Sequence, residues 1–141
     1  MKVKVKKINK DAKLPEYAHG NDAGMDLFSA EDFILKPGEL RACPTGIAMA
    51  IPNGYVGLIW DKSGIALSGG IKTMGGVIDS NYRGEIGVIL KNLSEKSYQI
   101  KRGDKVAQML IQKIESPEME EVENLDNTDR GQGAFGSTGI R

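Results

Sequence analysis

The 141-residue chain has one cysteine, one histidine and one tryptophan, and each scarcity excludes something. With Cys43 alone, no disulfide can form within the chain, which fits a reducing compartment; the thiol itself is expected to be a small core residue. With His19 alone, in the polar stretch PEYAHGND, no histidine cluster or zinc site can be built, and the residue is expected at the surface. Charge of either sign is not in excess: Lys+Arg and Asp+Glu number 19 each, which leaves no strong electrostatic footprint for nucleic acid or an anionic membrane. No apolar run approaches the roughly 18 residues of a membrane span, and the opening MKVKVKKINK alternates lysine with valine unlike a signal peptide. A cytoplasmic protein without nucleic-acid or membrane partners, binding a specific small molecule, is the expectation.

What is present is a period of two. Val3, Val5 and Ile8 begin it, and Phe33 with Leu35, Ile47 with Met49, Val56 with Leu58, and Val88 with Leu90 continue it. Turn signals separate these runs at short intervals: Pro37-Gly38, Pro52-Asn53-Gly54, Ser68-Gly69-Gly70, Arg83-Gly84 and Arg102-Gly103-Asp104. The pattern predicts an all-β sandwich or jelly roll, with a single short helix around Ser63 to Ser68 and Trp60 in the core. The scattered methionines read as packing. With 40% apolar residues, one core and one domain over residues 1–115 are expected. From Ser116 the composition changes. Five glutamates lie between Glu115 and Glu123, so residues 116–141 form at best an edge strand leading into an arm that could reach a neighbouring subunit. Asn92-Leu93-Ser94 matches a glycosylation sequon in form only.

The arm ends in RGQGAFGSTGIR, residues 130–141. Four glycines leave backbone N–H groups open to an anion, Arg130 can fork onto phosphate oxygens, and Ser137 and Thr138 add donors. The G-x-G-x-x-G spacing of Gly131 to Gly136 is that of a dinucleotide fingerprint, yet the helix and the acidic residue about 20 positions on have no room before the end of the chain. No GxxxxGK[ST] or kinase catalytic loop is present either, so a flexible phosphate lid remains. A second constellation, Gly75 to Glu85 (GGVIDSNYRGE), reads as a β-hairpin in which Asp79 either caps the turn or does chemistry.

Five segments in order, Ala23-Gly24-Met25-Asp26-Leu27, Asp61-Lys62-Ser63-Gly64-Ile65-Ala66, the 75–85 hairpin, Gly103-Asp104-Lys105-Val106-Ala107-Gln108 and the tail, resemble the motifs of the trimeric deoxyuridine triphosphatase (dUTPase) family. The resemblance spans residues 23–139. It implies a dUTPase-like distorted jelly roll and a dUTP pyrophosphatase that releases dUMP, supplying thymidylate synthesis and keeping uracil out of DNA. The hairpin would read the uracil edge through its main chain, with Val77, Ile78 and Asp79 lining the pocket and Thr73 and Gly87 nearby. Tyr82 would lie under the sugar and exclude a 2′-hydroxyl, or else merely pack the hairpin. Asp79 would orient and deprotonate the water that attacks the α-phosphorus.

By the same resemblance Lys62, Ser63 and Gly64 would grip the α- and β-phosphates, and Gln108 would touch the α-phosphate side. Arg130 would reach the γ-phosphate with Gly136, Ser137 and Thr138, while Phe135 stacks on the uracil. One Mg²⁺ would be held chiefly by phosphate oxygens and water, with Asp26 touching it through water; a turn or strand-end aspartate is the equal alternative. A homotrimer is implied, with each site shared among subunits. Two residues depart from the family pattern: Lys62 stands where arginine is usual, and Ala134 where glycine is usual. Two rival functions share some of these features. One is a dCTP deaminase of the same fold, which would release ammonia, and the other is a regulatory binding protein controlled by nucleotide.

Overall fold

Alternation of side chains builds most of this fold. In Glu85–Asn92 every second residue is buried, and Ile86, Val88, Leu90 and Asn92 point inward from one strand. The computed structural model describes residues 1–139. In chain order the strands are β1 (Lys4–Lys7), β2 (Met25–Phe28), β3 (Phe33–Leu35), β4 (Leu40–Ala50) and β5 (Tyr55–Trp60), followed by helix α1 (Ser63–Gly69). Then come β6 (Ile71–Met74), β7 (Val77–Ile78), β8 (Glu85–Asn92), β9 (Tyr98–Ile100) and β10 (Lys105–Lys113). Two four-stranded sheets, ordered β1-β4-β8-β6 and β2-β10-β5-β7, enclose the core, and the pair β3-β9 completes it; every pairing is antiparallel. The protein is all-β, as its sequence period predicts, and the one helix among the described residues occupies the expected stretch.

Leu27, Leu35, Ile47, Ile86, Leu90, Ile100, Val106 and Met109 are sealed between these layers. Each large aliphatic side chain so buried contributes about 1.5–3 kcal/mol. Cys43 lies among them, fully buried, its thiol 3.2 Å from the Ser29 hydroxyl. The buried Asn92 amide is satisfied within the fold. Asn92 donates from Nδ2 to the carbonyls of Leu35 (2.9 Å) and Lys96 (2.8 Å), and its Oδ1 accepts from Ser94 N and Oγ. A fully buried side chain with this many partners is a clamp on the β8–β9 turn, and it leaves no surface for a glycan.

The β4 ladder shifts register between Pro44 and Ala48, where Gly46 adopts φ +69. A Cβ there would meet the Ala12 methyl at 2.8 Å, so both the backbone and the packing require glycine.

Two expectations fail and one is narrowed. Ile8 is 52% exposed and Trp60 56% exposed, because β1 ends at Lys7 and Trp60 is the last residue of β5, where the chain leaves the sheet. No strand forms between Glu115 and Glu123: β10 ends at Lys113 and the chain continues without a ladder. Five like charges within nine residues disfavour a further strand. The 75–85 segment is also not a simple hairpin. Val77–Ile78 pairs with Gly57 and Leu58 of β5, whereas Glu85 begins a strand that pairs with β4 and β6. Gly75 and Gly76, at φ +66 and +98, turn the chain out of the β6–β8 ladder toward the other sheet, and the Gly76 carbonyl accepts from Ile59 N at 2.8 Å.

Candidate active site

The excursion from β6 to β8 creates a cavity of about 350 Å³ at the junction of the sheets. Val77, Ile78, Asp79 and Tyr82 supply one wall; Gly87 and Ile89 of β8 and Ala42 of β4 supply the other. The strand period puts Glu85, Gly87 and Ile89 on one face of β8, so the sequence signal for this wall is alternation. A Cβ at Gly87 would have no heavy atom within 4 Å, so that position opens onto free space. The turn below is held locally: Tyr82 N donates to the Asp79 carbonyl at 3.1 Å, and Tyr82 Oη donates to the Glu85 carbonyl at 3.0 Å. The Tyr82 ring lies over Gly84, where a Cβ would collide with it. The Asp79 carboxylate is exposed and free to meet a ligand.

Thr73 does not join this cavity. As an inward residue of β6 it donates from N (2.6 Å) and Oγ1 (2.9 Å) to Asp61 Oδ1, and it lines a separate cavity of about 240 Å³ with Trp60 and Gly76. Asp61 also pairs with Lys72. Burial pushes the Asp61 carboxyl up, but Lys72 and the two Thr73 donors outweigh it and hold the group below its ordinary value.

A second cluster forms where β2, β5 and β10 lie side by side. Gln108 of β10 is opposite Asp26 of β2 on one flank and Trp60 of β5 on the other, and its Nε2 donates to the Asp61 carbonyl at 2.9 Å. Asp26 is 2% exposed. Its Oδ1 pairs with Lys62, and its Oδ2 lies 2.7 Å from Lys105 Nζ without the geometry of an ordinary hydrogen bond. Burial raises the Asp26 carboxyl, yet the two ammoniums bring it below its usual value, and the carboxylate in turn raises Lys105. Ser63 and Gly64 follow Lys62 at the exposed start of α1, whose first turn has no side-chain cap.

Lys105 had no assigned role in the sequence reading, although it stands inside a motif already singled out.

The donor set around Asp26 suits a divalent ion only in one way. Among the described residues no three His, Cys, Asp or Glu side chains gather to hold a metal. Asp26 Oδ2, buried and short of a hydrogen bond, fits a water molecule of an ion whose direct ligands come from elsewhere.

In the tail, Arg130 Nε donates to the Gly133 carbonyl at 2.8 Å, and Phe135 is fully exposed, packed on nothing. Gly136, Ser137 and Thr138 are exposed beside it. Phe135 (φ +44) and Gly136 (φ +102) take the left-handed backbone here, and Ala134 does not, so the methyl group of Ala134 meets no backbone strain in this conformation. Thus one chain brings together Val77, Ile78, Asp79, Tyr82 and Gly87 in one place, and Asp26, Lys62 and Gln108 in another, and leaves the tail apart.

Comparison with known proteins identifies the family. The dUTPase family model matches residues 10–139. A deoxyuridine 5′-triphosphate nucleotidohydrolase of Clostridium tetani is 49% identical over 139 residues, covering 97% of this chain and 96% of that protein. A structure of the Staphylococcus bacteriophage 80alpha dUTPase with dUpNHpp superposes with TM-score 0.94 at 34% identity, covering 99% of both chains. A variant of the dUTPase from phage phi11 of S. aureus, described with a structural Mg(II) ion, gives TM-score 0.85 at 32% identity, covering 90% of this chain and all of that one. With the five motifs, the two-sheet architecture and matches over nearly the whole length in agreement, the chain belongs to the dUTPase family.

Proposed function

We propose that the chain hydrolyses dUTP to dUMP and pyrophosphate, acting in the cytoplasm as a homotrimer with magnesium. The observation that carries this reading is the convergence of Val77, Ile78, Asp79, Tyr82 and Gly87 on one cavity of about 350 Å³. Uracil enters between the two walls, where main-chain groups can pair with its edge; the close walls reject a 5-methyl group by sterics. The Tyr82 ring, held by Gly84 and the Glu85 carbonyl, is the barrier to a 2′-hydroxyl.

Asp79 orients a water molecule toward the α-phosphorus and takes its proton. The water oxygen bonds to phosphorus as the bond to the β-phosphate bridging oxygen breaks, so pyrophosphate leaves and dUMP keeps the new oxygen. Lys62, the N–H groups of Ser63 and Gly64, and Gln108 hold the α- and β-phosphates. Magnesium, when bound, neutralises charge on the triphosphate, and Asp26 would meet it through water. Residues 116–141 serve as the arm: Arg130, Gly136, Ser137 and Thr138 close on the γ-phosphate and Phe135 covers the base.

The homotrimer rests on an incompleteness. None of Asp26, Lys62, Ser63, Gly64 or Gln108 lines the base cavity of the same chain, and Phe135 has no surface to cover. Copies related by a rotation that closes can bring these parts together.

The test offers dUTP, dCTP and UTP with Mg²⁺ while pyrophosphate and ammonia are followed together. Pyrophosphate from dUTP alone is expected. Ammonia from dCTP would establish a deaminase instead, and nucleotide binding without turnover a regulatory binding protein.

A further inference from the structure

We propose that Lys105 is a positioning residue for the triphosphate: it keeps Asp26 in place while Lys62 moves from that carboxylate to the substrate. This inference rests on the reading of Lys62 as a phosphate contact.

A carboxylate as buried as Asp26 needs a cation, because an unpaired buried charge costs several kcal/mol. Here two cations face it, one on each oxygen. One suffices to balance its charge, so the other is free to leave.

The backbone distinguishes the two lysines. Lys105 belongs to β10 and is paired opposite Phe28, so the ladder that carries Asp26 also carries Lys105. Lys62 lies outside any ladder, between β5 and α1, directly before Ser63 and Gly64. A long lysine stem at that junction can turn from the carboxylate to an incoming phosphate without moving a strand.

A bulge in β10 is what places Lys105 there. In a regular strand, residues three apart point to opposite faces. Lys105 and Gln108 are three apart, yet their partners Phe28 and Asp26 are two apart and share a face. The register shift between Lys105 and Ala107 absorbs the extra residue and turns both side chains toward Asp26. The irregularity thus gives β10 two side chains at the site, Gln108 and Lys105.

Without Lys105, Lys62 would be the sole side-chain cation on Asp26, and its transfer to the phosphates would leave the carboxylate with no direct ion pair. Binding of the triphosphate should weaken while binding of base and sugar should not. Calorimetry and NMR titration with a non-hydrolysable dUTP analogue and with deoxyuridine, which has no phosphate, separate these. For Lys105→Met the analogue is expected to bind about tenfold more weakly, the size of one charge-assisted hydrogen bond, with deoxyuridine affinity unchanged. KM for dUTP should rise more than kcat falls, and Lys105→Arg should restore wild-type values.

In an Asp26→Asn background, Lys105→Met should have little further effect, since the residue acts through that carboxylate. Equal losses for both ligands, no loss for either, or an undiminished loss in the Asp26→Asn background would overturn the proposal.

Lysine ¹⁵Nζ NMR of the wild-type protein gives a reading that does not depend on any variant folding. The Lys62 signal should shift on adding the analogue while Lys105 stays; a moving Lys105 with a static Lys62 would refute the assignment. If Lys62→Met leaves analogue affinity intact, the underlying role of Lys62 fails, which is a different result.

Discussion

Gly24→Ala should damage substrate handling although position 24 itself is assigned no contact with the substrate. A methyl at position 24 would lie 2.5 Å from Gln108 Oε1, 3.1 Å from its Cδ and 3.2 Å from its Cβ. The amide end is flexible and can turn away, but the Cβ is anchored in β10, so either Gln108 changes rotamer or β2 and β10 part slightly. The rotamer change breaks the 2.9 Å bond from Gln108 Nε2 to the Asp61 carbonyl, worth about 0.5–1.5 kcal/mol. Overpacking of this kind costs about 1–3 kcal/mol, or roughly 3–10 °C in Tm. Loss of the proposed Gln108 contact on the α-phosphate side should lower kcat/KM by about tenfold or more, since each ~1.4 kcal/mol is one decade. Thermal unfolding and steady-state dUTP hydrolysis measure the two effects. In a Gln108→Ala background the 2.5 and 3.1 Å clashes are gone and only the 3.2 Å Cβ contact remains, so Gly24→Ala should cost much less in both assays. A Gly24→Ala protein with wild-type stability and kinetics, or a cost that persists unchanged beside Gln108→Ala, would refute the argument.

Tyr82→Ala should raise turnover of UTP relative to dUTP; an unchanged ratio counts against the ring as the barrier to the 2′-hydroxyl. Truncation before Arg130 should leave the fold intact, because Phe135 packs on nothing, while kcat/KM falls strongly; wild-type kinetics would remove the arm from the site. Burial drives the Cys43 thiol up to about 11, so it should resist alkylation at pH 8 in the native protein and react once the chain is denatured. Asp61 contributes stability that is fully present above its unfolded value of 3.8 and lost as pH falls through its depressed folded value. Asp61→Asn should therefore cost about 1–3 kcal/mol near neutrality, and urea titrations of the two proteins should converge at acid pH.

Local rules served well where structure is local. The alternation of Val88 and Leu90 marked an inward face that the sheet keeps, and the stretch around Ser63 to Ser68 became the helix. They were insufficient where the answer depends on which ladder a strand joins. Val77 and Ile78 lie close in sequence to β8 but pair with β5, since two glycines with positive φ send the chain across the sheets. Thr73 lines a neighbouring cavity that shares Val77 with the first, because its position in β6 turns it toward Asp61. The role of Lys105 is hidden by a register shift, because a strand read with period two would point Lys105 and Gln108 to opposite faces. Trp60 illustrates the limit of composition. A large aromatic is usually covered, but this one ends a strand where the chain departs for α1.

The central claim is that Asp79 places the attacking water in a cavity that binds the base. Asp79→Asn keeps the shape of the side chain and removes its basicity, so the variant protein should bind the non-hydrolysable dUTP analogue as the wild type does and release almost no pyrophosphate from dUTP. Substantial turnover by Asp79→Asn, with binding intact, would contradict the account.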